Sequence, residues 1–123
     1  MRNISGFAAL LLVGFTTSAA ADDIPAIDCG KASAPDEKTI CASADLRVLD
    51  AETSTLYQIR MSMPMLMGER GNAHDAQVAF LKERSGCGSD TSCIASAYQG
   101  RISALQGTIA SGMEEFCKLK GIC

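Results

Sequence analysis

Six cysteines constrain the fold of this chain more than any other feature of its sequence. They stand at Cys29, Cys41, Cys87, Cys93, Cys117 and Cys123. In an exported chain, an even number of cysteines is typical of a disulfide framework. Structural zinc sites use shorter cysteine spacings, and only His74 could add an imidazole ligand. We therefore predict three disulfides. The sequence leaves their pairing open: closure between sequence neighbours is the simplest arrangement, and long-range bridges would stabilise more.

The first 21 residues have the pattern of a secretory signal peptide. Arg2 gives the start of the chain a positive charge, and residues 7–15 form an apolar run. Ala19 and Ala21 then supply the small residues of a cleavage signature. The alternative, a retained membrane anchor, is disfavoured because the apolar run is too short to cross a bilayer as a stable helix.

We place cleavage before Asp22, which divides the chain into a signal peptide, 1–21, and one domain, 22–123. Cleavage removes one of the 11 basic residues and none of the 14 acidic ones, so the net charge changes from −3 to −4 (10 minus 14). This acidity argues against nucleic acid and favours cationic partners. No lipid-attachment motif precedes Cys29, so we expect no membrane anchor after cleavage.

Apolar residues recur at helical spacing in the first half of the mature chain. Pro35 suits the first turn of a short helix, and Ser43 can cap a longer one. The buried face of the longer helix is predicted at Leu46, Leu49, Thr53 and Leu56, with Asp45, Arg47, Asp50 and Glu52 turned largely to water. Pro64 should end this helix near Met63.

The second half predicts a loop and two further helices. Residues 64–72 are predicted to form a loop, because this stretch begins with Pro64 and contains Gly68 and Gly71. The second predicted helix has its apolar face at Ala76, Phe80 and Leu81 and stops near Ser85 and Gly86. The third begins at Asp90 or Thr91 and continues to Phe116. We predict a break in this third helix near Gly107. The fold we expect is all-α, a small disulfide-stapled bundle of about three helices.

The order of residues along the chain resembles the lysozyme inhibitor LprI-like domain family (the LprI N-terminal domain). Its first half is matched by residues 28–32 and 37–41 with Leu46, Leu49, Asp50 and Tyr57, and its second half by Gln77, Phe80, Leu81, Arg84, Cys87, Cys93, Ala97, Tyr98, Arg101, Ile102 and Leu105. The resemblance spans residues 27–105. The chain departs from the pattern at Phe80, where tryptophan is usual, at Ala34, where a capping Ser or Thr is common, and in the tail that carries Cys117 and Cys123.

The resemblance implies a small helical envelope domain, usually in the Gram-negative periplasm or at the cell surface. It implies structural roles for the motif residues Asp28, Asp50, Tyr57, Gln77, Phe80, Arg84, Tyr98 and Arg101. The family takes its name from a member that inhibits lysozyme, so lysozyme or another muramidase is the expected protein partner. The alternative is an envelope structural or accessory module without inhibitory activity.

Two stretches are candidates for contact with such a partner. One is the predicted loop segment 68–72, and the other is the acidic pair Glu114 and Glu115. A protruding loop can occlude an enzyme cleft, and negative charge steers a cationic enzyme into contact. The plainer interpretation of both stretches is an ordinary connection and a solvated helix face.

Four methionines, Met61, Met63, Met65 and Met67, alternate along the chain shortly before His74. Thioethers are soft ligands for Cu(I), which makes a metal site one hypothesis. Adaptable packing is the favoured interpretation, because four residues with a period of two across a proline cannot share one helix face. We expect no metal and no cofactor.

The sequence does not favour an enzyme. His74 has no nucleophile motif to accompany it, since every cysteine is predicted to be oxidised. Neither Asp50 with Glu52 nor Glu114 with Glu115 can flank one glycosidic bond, because helix residues one or two apart point in different directions. We therefore predict a non-enzymatic binding protein.

Overall fold

The computed structural model describes residues 24–123 as four α-helices, and these residues contain no β-strand. The helices are α1 (Pro35–Ala42), α2 (Ala44–Ser62), α3 (Met67–Gly86) and α4 (Thr91–Lys120). The prediction of a small all-α fold is confirmed. The predicted signal peptide lies outside the described residues. Within the described part, none of the helices is long and apolar enough to cross a membrane.

Local side chains set the helix boundaries that the sequence predicted. Ser43 Oγ accepts a hydrogen bond from Leu46 N at 3.3 Å at the start of α2, and Asp90 Oδ1 accepts one from Cys93 N at 2.9 Å at the start of α4. Each bond satisfies an amide that a helix start leaves without an internal partner. The α2 helix ends at Ser62, before Pro64, as expected.

Two boundary predictions based on glycine were wrong. Gly68 and Gly71 lie inside the first turns of α3, and Gly107 lies inside an unbroken α4. A glycine in a helix costs only about 1 kcal/mol relative to alanine. The helices accommodate this small cost, and α3 begins at Met67 rather than after Asn72.

Helices α2 and α4 pack side by side and run in the same direction, and α3 runs in the opposite direction to connect the end of α2 to the start of α4. Asp50 of α2 lies beside Tyr98 of α4, and Tyr57 clusters with Leu105 further along both helices. Met63, just past the end of α2, lies against Gly112. The α2–α4 contact is the most extensive between any two of these helices. Since α2 ends at the level of Gly112, the last turns of α4 project beyond it.

Two apolar clusters fill the interior along the bundle axis. The first holds Ile40, Leu46, Phe80, Ile94 and Tyr98, and the second holds Tyr57, Met61 and Leu105. The rings of Phe80 and Tyr98 are 5.3 Å apart between centroids and tilted, a favourable aromatic arrangement. Phe80 thus occupies a core position.

The structure pairs the cysteines as sequence neighbours: Cys29 with Cys41, Cys87 with Cys93, and Cys117 with Cys123. The first bridge fastens the segment before α1 to the end of that helix. The second closes the turn between α3 and α4, and the third ties the tail to the last turn of α4. The described cysteines are all oxidised.

Candidate functional site

Polar side chains from all four helices meet in a buried network. Arg84 of α3 donates from Nε to Asp36 Oδ2 of α1 at 2.9 Å and from Nη1 to Tyr98 Oη of α4 at 3.1 Å. Tyr98 Oη in turn donates to Asp50 Oδ1 of α2 at 2.8 Å. The other oxygen of Asp50 accepts from the amide of Ile27 at 2.7 Å. One network therefore joins the four helices and the N-terminal segment.

The electrostatics of this network favour the charged form of Arg84 and the protonated form of Tyr98. Burial opposes the charge on Arg84, but the contacts with Tyr98 and Asp36 outweigh it and raise the pKa of Arg84. Burial also raises the pKa of Tyr98, and its hydrogen bond to Asp50 adds to this effect. Tyr98 therefore remains a protonated donor, and Arg84 remains charged between two carboxylates.

The burial of Asp50 corrects the expectation that it faces water. Its residue is only 9% exposed, because its two oxygens receive hydrogen bonds from Tyr98 and Ile27. Sequence reasoning also missed Asp36, which lies in the first turn of α1. Asp36 is buried, and its Oδ1 has no hydrogen-bond partner among the described residues. No local pattern identifies its partner, Arg84, which is 48 residues away.

The remaining motif residues lie around this network. Gln77 is buried, and its Oε1 accepts from Arg101 Nε at 2.9 Å, which joins α3 to α4. Tyr57 is fully buried in the second apolar cluster. Asp28 is exposed and accepts from the amide of Gly30 at 2.9 Å. These contacts hold helices and turns together, so the surface must supply any contact with a partner.

The methionine run is divided between the interior and the surface. Met61 and Met63 are buried, Met65 packs against the second apolar cluster, and Met67 is 91% exposed. His74 is half-buried in α3, with Asp75 as its ion-pair neighbour at 3.7 Å. The burial of Met61 and Met63 favours the packing interpretation over Cu(I) binding. Among the described residues, no three His, Cys, Asp or Glu side chains are grouped to hold a metal ion.

A surface groove lies between the α2–α3 turn and the projecting end of α4. It encloses about 610 Å³, within the usual range for ligand and docking sites. Pro64, Met65, Leu66, Phe116 and Leu119 give it apolar walls. Gly107, Thr108, Ser111 and Gly112 form the α4 side, where small side chains let a bound group approach the helix closely.

The groove brings together the two stretches that the sequence offered as partner contacts. Glu69, from segment 68–72, and Glu115 both line it, together with Arg60. Neither carboxylate forms an ion pair within residues 24–123. Glu114, in contrast, forms an ion pair with Lys118, with 2.6 Å between Oε1 and Nζ. The segment 68–72 was predicted as a protruding loop, but it forms the first turns of α3. Its contribution is therefore a helical wall of the groove.

These features define a small, disulfide-linked helical bundle with a buried polar network and a surface groove that combines apolar walls with charged side chains. Comparison with protein families, with curated proteins and with solved structures returned no match.

Proposed function

We propose that this protein is an exported, non-enzymatic binding protein of the lysozyme-inhibitor type, which docks on a muramidase through the groove beside α4. The observation that carries the proposal is the position of Glu69 and Glu115, two carboxylates that form no ion pair among the described residues and that lie beside the apolar walls of the groove. Such a surface suits a partner that inserts an apolar side chain next to a basic one.

The distribution of polar groups supports binding rather than catalysis. The buried polar groups form hydrogen bonds with one another in the interior, and these groups belong to Arg84, Asp36, Asp50 and Tyr98. Arg101 is held by Gln77. The groove presents two carboxylates, one guanidinium and two hydroxyl groups beside its apolar walls, with no histidine or cysteine among its lining residues, and such a set of groups suits recognition.

Three disulfides support the proposed export, since such bonds persist in oxidising compartments. The periplasm or the extracellular space is the expected location. The resemblance of residues 27–105 to the LprI-like family supports lysozyme as the first enzyme to test. A module that only supports other envelope proteins would have the same bundle without an inhibitory surface.

A lysis assay tests this function. Purified, disulfide-intact protein should slow the lysis of peptidoglycan by lysozyme, and the double variant Glu69→Gln with Glu115→Gln should weaken the protection about tenfold or more. The matched control is Asp45→Asn with Glu52→Gln, because both acids are exposed on α2, away from the groove. The control should protect as the natural protein does.

Absence of protection at high micromolar protein, against several lysozyme types, would contradict the proposal and favour the accessory module. Equal losses in the two double variants would show that general acidity, not the groove, attracts the enzyme. Circular dichroism on each variant should show an unchanged helical spectrum.

A further inference from the structure

The exposed apolar residues of this protein are concentrated at one end of the bundle. Of nine large apolar residues that are exposed, six lie there: Leu66, Met67, Met113, Phe116, Leu119 and Ile122. The other three are dispersed on α2 and α3. Isolated exposed apolar residues are ordinary on protein surfaces, whereas a contiguous group of this size marks an interaction surface.

The backbone gives this end the shape of a step. Gly112 of α4 lies level with Met63, at the end of α2. Residues 113–120 therefore project past α2 by about 12 Å at 1.5 Å per residue. The apolar face that packs on α2 at Leu105 continues into the projection as Phe116 and Leu119. Along residues 113–120, the side of α4 that α2 covers further back has no helix against it and faces the groove.

We propose that a second copy of this chain fills this place, so that two projecting α4 ends overlap antiparallel about a two-fold axis near Phe116. In this arrangement the apolar face of each projection covers that of the other, and the two bundles extend in opposite directions. A parallel arrangement would place the α4 helix of the second copy where α2 already lies. The inference goes beyond the proposed function and does not depend on it.

The available area matches the requirement of a stable dimer. The six residues are 37% to 91% exposed, so covering all of them would bury an area on the order of the 800 Å² per partner of a standard interface. Two copies of one surface meet through the same patch, as a two-fold interface requires.

The charges at this end allow two copies to approach. Four basic residues, Arg60, Arg70, Lys118 and Lys120, nearly balance three acidic ones, Glu69, Glu114 and Glu115. The mature chain as a whole is acidic, at −4 (10 minus 14). The nearly balanced charges at this end therefore do not oppose the approach of a second copy by a large excess of one sign.

Analytical ultracentrifugation of the mature, disulfide-intact protein tests the dimer. We expect twice the monomer mass at micromolar concentration, with dissociation on dilution. Leu119→Asp should weaken the dimer at least about tenfold, because it places a charge in the interface. The control Val48→Asp changes a similarly exposed apolar residue on α2 and should leave the dimer intact. Circular dichroism should show that both variants remain helical.

Chemical cross-linking tests the geometry independently. In mixed isotope-labelled protein, an amine-reactive reagent should join Lys118 or Lys120 of one copy to the same residues of the other. It should not join Lys38 residues, which lie on α1 at the opposite end. A monomer up to several hundred micromolar, species larger than a dimer, or equal effects of the two Asp variants would overturn the proposal. Because lysozyme is absent from these measurements, their failure is distinct from failure of the lysis assay.

Discussion

At the scale of single residues, Arg84 is the centre of the structure. Its guanidinium lies between Asp36 and Asp50 and donates to the hydroxyl of Tyr98. A buried ion pair contributes little net stability compared with apolar packing, but its partial removal is costly, because the remaining charges lose their partners in the interior.

Replacement of Arg84 by methionine should therefore destabilise the protein strongly. We expect the free energy of unfolding in urea to fall by about 3–5 kcal/mol, since Asp36 and Asp50 would stay buried without a cation. Arg47→Met is the control, because Arg47 is exposed on α2 and forms no ion pair in the described part of the chain. A decrease of less than about 1 kcal/mol in the free energy of unfolding of Arg84→Met would show that Asp36 and Asp50 do not depend on Arg84 for their stability.

The sequence could predict what is local and could not predict this network. Ser43 and Asp90 act as caps through atoms three residues away, so their roles follow from their own neighbourhood. Asp50 was expected to face water because it lies outside the helical spacing of the predicted buried face, which is formed by Leu46, Leu49, Thr53 and Leu56. Its partner Tyr98 is 48 residues away, and only the packing of α2 on α4 brings the two together.

At the scale of elements, α4 shows that a long helix can continue through its glycines without a break. Its glycines suggested a break near Gly107, but the helix continues to Lys120. Gly107 and Gly112 differ in their surroundings. A methyl group at Gly107 would meet open space, whereas one at Gly112 would lie 2.8 Å from the terminal carbon of Met63.

Alanine substitution should separate these two positions. Gly107→Ala should raise the free energy of unfolding by about 0.5–1 kcal/mol through helix preference alone. Gly112→Ala should gain less, because the end of Met63 must move. Urea unfolding at low micromolar protein gives both values. A larger gain at Gly112 than at Gly107 would contradict the observed packing of Met63.

At the scale of the whole molecule, one end of the bundle carries both proposed interactions. Leu66, Phe116 and Leu119 line the groove and also belong to the projecting apolar surface. Self-association and binding to a muramidase would therefore exclude each other, and the dimer would be the form in which the groove is covered.

Sedimentation with increasing lysozyme should show this competition. We expect the dimer boundary to give way to a complex of one copy with one lysozyme, because the partner and the second copy need the same residues. Matched runs with an unrelated basic protein of similar size provide the control. A complex that retains the intact dimer would place the enzyme on another surface.

The parallel arrangement of α2 and α4 also determines when the bundle can close. A ribosome makes α2 long before α4, and the most extensive helix contact joins these two elements. Until the last third of the chain has emerged, Leu46 and Tyr57 have no α4 surface to cover them. The growing chain thus exposes this apolar surface until α4 has been made, whereas the bridge from Cys29 to Cys41 requires only the residues up to Cys41.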